Sequence, residues 1–451
     1  MDIGANNMVM VDIGASNTRY TSTGKIGLVP NNMVMMDKDT VLDIMPDNPG
    51  ILNALEVVIT KKGDSEFFPV KVLIGRMADR FSGANERPNA LKQKHEQRIN
   101  HISIITAVAL SKLEHNLDDN LKVYLALPPA EVSRFKDKVK SLLAGTYTVT
   151  FPKYNGGVST TFTIADVACH EESFMAMLSW FFNLDGTVNA EHKEYLVGNV
   201  LSLDIGASTT DLAIIKNGSY LDKSGKTYRI GGNIALDNLI DYVRGIYNYE
   251  MPVETAERVM AEGRLQLGKN KIVVTELVDQ AKKEFASRII ASIKNYFSQV
   301  NEPIQSISII VVSGGGSMES QYVNESGANV VTSKSISSYI TDMIKDVCDG
   351  VDAVSHSDAP RLANIRGLYL RAKIDAANAA KQKAKAPVQT PVQTPVQAPV
   401  QAPVQTPVQA PAQPVMQTPV QTAVPVVTPP VEQAQSMMGD ESTSNPSNIQ
   451  I

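Results

Sequence analysis

This chain of 451 residues is poor in the side chains that build disulfide frameworks and metal centres. Its two cysteines, Cys169 and Cys348, are far apart in the sequence and give no disulfide framework. Its six histidines are scattered, and the pair His170-Glu171 lacks the second histidine of a helical zinc motif. This usage disfavours a histidine-based metal centre and is typical of a protein in a reducing, cytoplasmic environment.

Long apolar runs are also missing. The longest, such as Ile307–Val312, have the length of strands, whereas a membrane-spanning helix needs about 20 apolar residues. The N-terminal segment has no basic stretch followed by an apolar one, which is the pattern of a secretion signal. The sequence therefore predicts no membrane partner.

Neither sign of charge is in large excess. The formal net charge is −5, and acidic and basic residues are interleaved along the chain. A nucleic-acid surface usually needs a basic patch or stripe, because phosphate binding is driven by the release of counterions. The sequence therefore predicts no direct binding to nucleic acid.

The composition changes near residue 386. From Pro387 to Pro411 a proline recurs every four residues, in Pro-Val-Gln-Thr or Pro-Val-Gln-Ala units. Prolines at this density remove backbone donors, and isolated valines cannot form a core. Residues 386–451 are therefore predicted to be a disordered, extended tether. A solvating spacer is the favoured role for this tether, and a docking site for a partner is the alternative.

Residues 8 to about 385 alternate strand and helix patterns, which is typical of an α/β protein. The clearest helix is Thr275–Phe297, where apolar residues recur every four positions. The other predicted elements are helices at Asn100–Leu113 and Val132–Leu143 and strands at Lys122–Leu127, Tyr147–Phe151 and Ser306–Val312.

The most informative motif occurs nearly twice, in Val9–Tyr20 and in Leu201–Leu212. Each copy passes from an apolar strand into Asp-Ile-Gly-Ala-Ser and then into a second strand. A turn rich in Gly and Ser lets several backbone N–H groups point into one concavity, which suits phosphate oxygens. Asp12 and Asp204 end the two strands, where they are placed to hold a magnesium ion through water. Two such turns predict two similar domains that clamp one phosphate chain.

The predicted nucleotide-binding residues come from these two turns and from a pair of glycines later in the chain. They are Gly14, Ala15, Ser16, Asn17, Thr18, Arg19, Gly206, Ala207, Ser208, Thr209, Gly231 and Gly232. The glycine pair precedes a helix whose N-terminus is suited to phosphate or ribose oxygens, although a simple strand-to-helix turn fits nearly as well.

Two further stretches predict an adenosine contact and a residue that orients the attacking water. Gly314, Gly315 and Gly316 follow a buried strand, and residues without Cβ let a flat adenosine lie against the backbone. Glu172 stands between a strand end and a helix start, before the second turn. A carboxylate there is suited to orient and partly deprotonate an attacking water. Glu171 is interpreted as a charge at the helix start.

In this order, the two turns, the Glu172-Ser173 hinge and the Gly-Gly-Gly loop resemble the actin superfamily of ATPases. Within it they are most similar to the ParM-type plasmid-segregation actins of bacteria and their archaeal relatives. Asp12–Arg19 resembles the first phosphate motif of that family, with arginine at a position where lysine is usual. Asp204–Asp211 resembles the second phosphate motif.

Three further segments carry the same resemblance. Ala363–Gly367 is similar to the second connecting helix of the family, and Ile74–Ala78 to its subdomain between the phosphate turns. Glu262, Arg264 and Lys269 resemble, in place, the helix beside the purine, although a solvated helix face is an equally open interpretation.

The resemblance implies two actin-like, ribonuclease-H-like domains with a nucleotide cleft between them. The implied divisions are a flexible leader (1–7), domain I (8–185) with an inserted subdomain (about 28–100), domain II (186–354), a C-terminal helix returning to domain I (355–385) and the tether (386–451). The catalytic residues would be Glu172, Asp204 and Asp12, and the cofactors ATP, or GTP, with magnesium.

The implied function is an ATPase that forms cytoplasmic filaments with itself. The resemblance further implies DNA segregation through a small DNA-binding adaptor protein. Two alternatives remain open: a cytoskeletal or cell-shape scaffold without DNA cargo, and a non-polymerising ATPase related to sugar kinases or chaperones. No motif for a sugar-acceptor pocket is visible, and the tether is unsuited to fold into a chaperone substrate domain.

Overall fold

The structure is a computed structural model, and it describes residues 6–37, 39–40, 50–64, 67–81, 84–89, 92–317, 321–323, 329–331, 333–356 and 359–385. The chain divides into residues 1–387 and 388–451. The predicted tether lies outside the described residues, as do residues 1–5 of the predicted leader. The carbonyls of Asn6 and Asn7, the last two residues of that leader, accept hydrogen bonds from the N–H groups of Asp118 (2.7 Å) and Lys122 (2.8 Å).

The described residues form strands and helices that are numbered here in chain order. The strands are β1 (Met8–Ile13), β2 (Asn17–Thr21), β3 (Gly27–Pro30), β4 (Met33–Met36), β5 (Leu55–Lys61), β6 (Val70–Ile74), β7 (Asn85–Glu86), β8 (Asn120–Leu127), β9 (Gly145–Phe151), β10 (Val158–Glu171), β11 (Asn199–Ile205), β12 (Thr210–Lys216), β13 (Ser219–Tyr220), β14 (Lys226–Tyr228), β15 (Arg264–Leu267), β16 (Asn270–Val273), β17 (Ile307–Ser313), β18 (Gln321–Val323), β19 (Asn329–Val331) and β20 (Ala353–Ser355). The α-helices are α1 (Arg98–His115), α2 (Pro129–Leu143), α3 (Glu172–Phe181), α4 (Asn233–Tyr247), α5 (Val253–Glu262), α6 (Thr275–Phe297), α7 (Ile336–Ile344) and α8 (Ala363–Lys385).

Two large sheets repeat one strand arrangement. In the first sheet the order begins β3-β2-β1-β8-β10, and in the second it is β13-β12-β11-β17-β20, with β14 also paired to β12. In both sheets three consecutive strands form an antiparallel meander (β1-β2-β3 and β11-β12-β13), and two further strands follow in parallel pairing beside β1 and β11. The duplicated sequence motif therefore corresponds to a duplicated piece of architecture.

The first sheet continues beyond this shared part as β9-β5-β6-β4-β7. The long strand β10 makes this possible, because its first half pairs with β9 and its second half pairs with β8. The strands of the expected insertion, β4 to β7, therefore extend the first sheet, and β9 joins them from outside the expected range of about 28–100. The domain boundaries expected from the sequence stay a prediction.

Helix α3 lies between the two sheets because two of its faces are apolar. Met175 and Leu178 pack with Met10 of the first sheet, whereas Met177 and Trp180 pack against the second sheet. Helix α8 returns to α3 and to strands β1 and β8 of the first sheet. The first sheet shields one face of α3 from water, and the second sheet shields the other. Both faces are buried only while both sheets are in place, so α3 favours one arrangement of the two sheets.

The crossing of α3 and α8 depends on a glycine. A Cβ at Gly367 of α8 would overlap the backbone carbonyl of Met175 in α3. We expect Gly367→Ala to destabilise the fold by about 1–3 kcal/mol, since backbone atoms must move to accept the methyl group. Urea unfolding would measure this change in stability. The control is Gly245→Ala in helix α4, where an added Cβ would have no atom within 4 Å. The control should be as stable as the wild type or slightly more stable, and equal unfolding midpoints would contradict the tight crossing.

The predicted elements agree with the described ones apart from small shifts at their ends. Helix α6 has the bounds expected from its apolar stripe. Helix α2 begins at Pro129, three residues before the predicted start at Val132. Proline suits the first position of a helix because the N–H it lacks would have no partner there.

Candidate functional site

The two Asp-Ile-Gly-Ala-Ser turns have the same backbone geometry. Gly14 N–H donates to the Asn17 carbonyl at 3.0 Å, and Gly206 N–H donates to the Thr209 carbonyl at 2.8 Å. Each bond closes the turn between the two strands of a hairpin. Equal turn lengths and equal registers explain why the same five-residue sequence serves both hairpins.

The turns leave donors at their tips. The backbone N–H groups of Ala15, Ser16, Ala207 and Ser208 donate to no acceptor among the residues that the structure describes. Unpaired N–H groups on adjacent residues of a turn form a concavity with positive partial charge. Each turn can therefore bind an anion such as a phosphate group.

The first turn is held from behind by Asn31. Its backbone N–H donates to the Ser16 carbonyl at 2.8 Å, and its side-chain amide donates to the Gly14 carbonyl. The Thr18 hydroxyl donates to Asn31 Oδ1 at 2.9 Å and is fully buried. Thr18, expected to bind nucleotide, instead fixes the residue that supports the turn.

The second turn is held by the start of helix α4. Gly232 N–H donates to the Gly206 carbonyl at 2.9 Å, and Asn233 N–H donates to the Ala207 carbonyl at 2.8 Å. A Cβ at Gly231 would overlap the backbone of Ala207. Gly231 is therefore required for close packing behind the turn, and it does not face the ligand space.

Both turns face one cavity of about 640 Å³. Of the residues predicted from the sequence, all but Thr18, Gly231 and Glu262 line this cavity. Those that line it are Asp12, Gly14, Ala15, Ser16, Asn17, Arg19, Glu172, Asp204, Gly206, Ala207, Ser208, Thr209, Gly232, Gly314, Gly315 and Gly316. The fold thus brings together segments that are up to about 300 residues apart in the chain.

The buried carboxylates in the cavity wall include Asp12, Glu172, Asp204 and Asp211. Each has a partner. Arg19 Nη1 lies 3.1 Å from Asp12 Oδ2. Asp204 accepts hydrogen bonds from Asn364 Nδ2 (2.8 Å) and Ser313 Oγ (3.3 Å), and Asp211 accepts one from Thr227 Oγ1.

Three of these carboxylates have a raised pKa. Burial raises the pKa of Asp211 to about 7, with Asp204 adding to the rise. Burial, and then the charge of Asp12, raises the pKa of Asp204. Burial also raises the pKa of Glu172 well above its ordinary value, and the charges of the three aspartates add to this, while Lys94 opposes it. A cation bound beside these carboxylates would therefore stabilise their charged forms.

This electrostatic pattern fits a magnesium ion held mainly through water. Among the described residues, no group of three or more metal-ligating side chains is close enough to hold an ion directly. Magnesium usually keeps several waters and takes one or two carboxylates together with phosphate oxygens. Asp12 and Asp204 are suited to that role because each is the second-to-last residue of a strand that leads into one of the two turns.

Lys94 enters the wall from a loop before helix α1. Its ammonium forms an ion pair with Glu172 and donates to the Ile13 carbonyl at 2.8 Å. Although burial opposes it, the charges of Glu172 and Asp12 raise the pKa of Lys94, so the ammonium stays protonated. Lys94 was not predicted from the sequence, because a single lysine between helices and strands belongs to no recognisable motif.

The glycines of the loop after β17 line the cavity and also allow close packing. Gly314 has a φ of +83°, and a Cβ there would overlap the carbonyl of Ile205 at the end of β11. A Cβ at Gly316 would meet the Ile205 side chain. These two glycines therefore let the loop pack on the second sheet. A Cβ at Gly315 would have Arg361 as its nearest neighbour, at 3.6 Å. The adenosine contact expected of the three glycines stays a prediction.

The cavity lining also includes apolar side chains, which suit contact with a purine. They are Leu236, Met260, Phe285 and Ile336. Glu262 is the last residue of α5 and does not line the cavity, whereas Glu257 and Ala261 of the same helix do.

The other two residues expected on that helix are not helical. Arg264 begins strand β15, and Lys269 lies in the turn between β15 and β16. The glycine at position 263, with a φ of +66°, ends the helix before them. Asn31, Glu131, Thr227 and Arg361 were also missed, and none lies in a motif that a single sequence makes visible.

A family model described as "Archaeal actin homologue MreB-like, C-terminal" matches residues 202–322. Among solved structures, the archaeal actin homologue Ta0583 is similar, with a TM-score of 0.58, 15% identity, and coverage of 82% of this chain and 99% of that chain. The chain has an actin-like fold. The actin-like protein Alp7A is also similar (TM-score 0.61, 17% identity, 84% and 99% coverage), as is Bacillus thuringiensis ParM with ADP (0.56, 16%, 83% and 100%).

The expected resemblance to the actin superfamily, and to ParM proteins and archaeal relatives within it, is confirmed at the level of the fold. No curated protein sequence matches this actin-like chain. Among its described helices, none has both the length and the apolar character that crossing a membrane requires.

Proposed function

We propose that this actin-like chain hydrolyses ATP, or GTP, with magnesium in the cavity between its two sheets. One observation carries the proposal: two matching turns present unpaired N–H groups to a single cavity whose wall holds buried carboxylates. A triphosphate needs donors along its length, and its magnesium needs negative charge beside it. Two solved relatives, Ta0583 and Bacillus thuringiensis ParM, contain ADP, which supports a nucleotide in this cavity.

In this proposal each group has one task. The N–H groups of the turns hold phosphate oxygens, and Asp12 and Asp204 position waters around the metal. Bound magnesium would neutralise charge on the phosphates. Glu172 begins helix α3, and its carboxylate orients the attacking water and accepts its proton.

We further propose that nucleotide binding drives assembly of copies of this chain into cytoplasmic filaments. The two sheets share helix α3, so a ligand that binds both turns favours one approach of the sheets. A contact surface between copies would then form in one nucleotide state and weaken after hydrolysis. The cargo is proposed to be plasmid or other DNA, held through a separate DNA-binding adaptor. A scaffold without DNA cargo is the second candidate.

Sedimentation with and without nucleotide tests both parts. Purified protein should pellet with ATP or GTP and magnesium, and the pellet should decline as phosphate is released. EDTA should abolish both signals. Phosphate release without pelleting would refute the filament and retain the hydrolase, whereas the absence of both would refute the proposal. Loss of the replicon that encodes the protein, after deletion of its gene, would separate segregation from a scaffold role.

A further inference from the structure

The Lys94 ammonium is a cation of the cavity lining that the proposed hydrolysis does not yet use. It lies between the Glu172 carboxylate and the Ile13 carbonyl. Ile13 is the last residue of β1 and directly precedes the first phosphate-binding turn. The ammonium therefore stands at the border between the water-orienting carboxylate and the space for phosphate.

The backbone of Lys94 is firmly held. Its N–H donates to Glu131 Oε1 at 2.8 Å, and its carbonyl accepts a hydrogen bond from Asn100 Nδ2 at 2.8 Å. The next residue, His95, is buried and bonds Glu131 Oε2 through both its N–H (3.2 Å) and its ring (2.9 Å). Helices α1 and α2 thus fix the loop, and the freedom that remains is in the lysine side chain.

The ion pair weakens Glu172 for its proposed task. One oxygen of the carboxylate already accepts a hydrogen bond from the Lys94 ammonium. A paired carboxylate is also a weaker base, since a nearby cation stabilises its charged form. Hydrolysis is therefore favoured when the ammonium is drawn away from Glu172.

A terminal phosphate is the group that can draw it away. The Lys94 ammonium stays charged in this wall, so it needs an anionic partner at all times. A phosphate in the first turn would lie next to Ile13 and offer more charge than one carboxylate. A diphosphate lacks this terminal group.

We propose that Lys94 exchanges its partner, binding Glu172 in the absence of a triphosphate and the terminal phosphate in its presence. The exchange frees Glu172 to orient water only when there is a phosphate to remove. It also makes Lys94 a residue that distinguishes a nucleoside triphosphate from a diphosphate. This inference rests on the proposed nucleotide hydrolysis and names how that same site is regulated.

Binding of a non-hydrolysable triphosphate analogue and of the diphosphate, each with magnesium, tests the exchange. Lys94→Met should weaken analogue binding by about 10- to 100-fold, the range for one charge-assisted hydrogen bond. Diphosphate binding should change less than about twofold. The matched control is Lys216→Met, which removes a surface lysine 2.8 Å from Glu302 and should change neither affinity.

Glu172→Gln separates the exchange from a simple structural pair. It removes the competitor for Lys94, so the analogue should bind more tightly than to wild type, by about threefold or more. Loss of a water-orienting base alone would leave this affinity unchanged. Unchanged analogue affinity in Glu172→Gln would therefore overturn the exchange.

The double variant Lys94→Met/Glu172→Gln guards against misfolding, because it removes both charges of the pair together. If Lys94 binds the terminal phosphate, the double variant loses the wild-type preference for triphosphate over diphosphate. If Lys94 only neutralises Glu172, the preference stays at its wild-type value and the exchange is wrong. If the wild-type protein binds neither nucleotide, the proposed function itself is refuted. If the wild-type protein turns over normally and the double variant keeps the wild-type preference, only the exchange is refuted.

Discussion

Glu172→Gln should slow phosphate release by about 100-fold or more while nucleotide remains bound. The carboxylate is the first residue of α3, is buried, and lines the cavity beside both turns. A general base typically contributes about 10²- to 10⁴-fold to a rate, and glutamine keeps the size of the side chain without its basicity. Single-turnover release of phosphate would measure the effect.

The adjacent Glu171 supplies a matched control for this change. It is the last residue of β10, does not line the cavity, and caps α3 without a side-chain hydrogen bond. Glu171→Gln should hydrolyse at the wild-type rate. If Glu172→Gln also releases phosphate at the wild-type rate, the water-orienting role lies elsewhere, and Asp211 is the next carboxylate to replace because it shares the wall.

Filaments of Glu172→Gln should also persist longer than those of wild type. The proposal links weakening of the contacts between copies to hydrolysis, so a protein that binds but does not hydrolyse should stay assembled. Time-resolved light scattering after addition of limiting ATP would show a long plateau in place of a decay. A decay at the wild-type rate would separate disassembly from hydrolysis.

Local features of the site could be predicted from the sequence because their chemistry depends on neighbouring residues. The turns after Asp12 and Asp204 are short, and the same residues that close each turn also point its N–H groups outward. Helix α6 was equally visible, since one apolar stripe runs its whole length. In these cases, local pattern and final structure agree.

Long-range features could not be predicted in this way. Lys94 reaches Glu172 from a loop 78 residues earlier in the chain, and no spacing rule connects a lysine to a carboxylate at that distance. Glu131 reads as an ordinary charge in the first turn of α2, yet it holds the Lys94 loop. The glycines at 314 and 316 also pack against Ile205 at the end of β11, and only the tertiary fold supplies that neighbour.

The predicted insertion shows the same limit for strands. The sequence predicts strands by alternation, but alternation does not identify the partner of a strand. Strand β10 is long enough to pair with β8 at one end and β9 at the other, and this joins the insertion to the first sheet. Length and pairing together, which a single sequence does not reveal, decide the architecture here.

Asp204→Asn should reduce phosphate release by about 100-fold or more at fixed magnesium. Asp204 is the second-to-last residue of β11, is buried, and accepts hydrogen bonds from Asn364 and Ser313, so its carboxylate is held in one place in the cavity wall. Loss of a group that positions a metal ion generally costs several kcal/mol of transition-state stabilisation, and each 1.36 kcal/mol is about tenfold in rate. The magnesium concentration for half-maximal activity should rise as well.

The same change should not destabilise the nucleotide-free protein. Burial and the charge of Asp12 raise the folded-state pKa of Asp204, so its ionisation at neutral pH opposes folding, and a neutral amide relieves that opposition. The nucleotide-free variant should therefore unfold at a temperature no lower than wild type. Asp166→Asn is the control. This aspartate is half-exposed, its Oδ2 lies 3.2 Å from Lys122 Nζ, and it does not line the cavity. Its loss should leave the rate of phosphate release unchanged. If Asp204→Asn loses both activity and much of its thermal stability, Asp204 is a structural residue. Loss of activity at full thermal stability is the result expected of a site that sacrifices stability for metal binding.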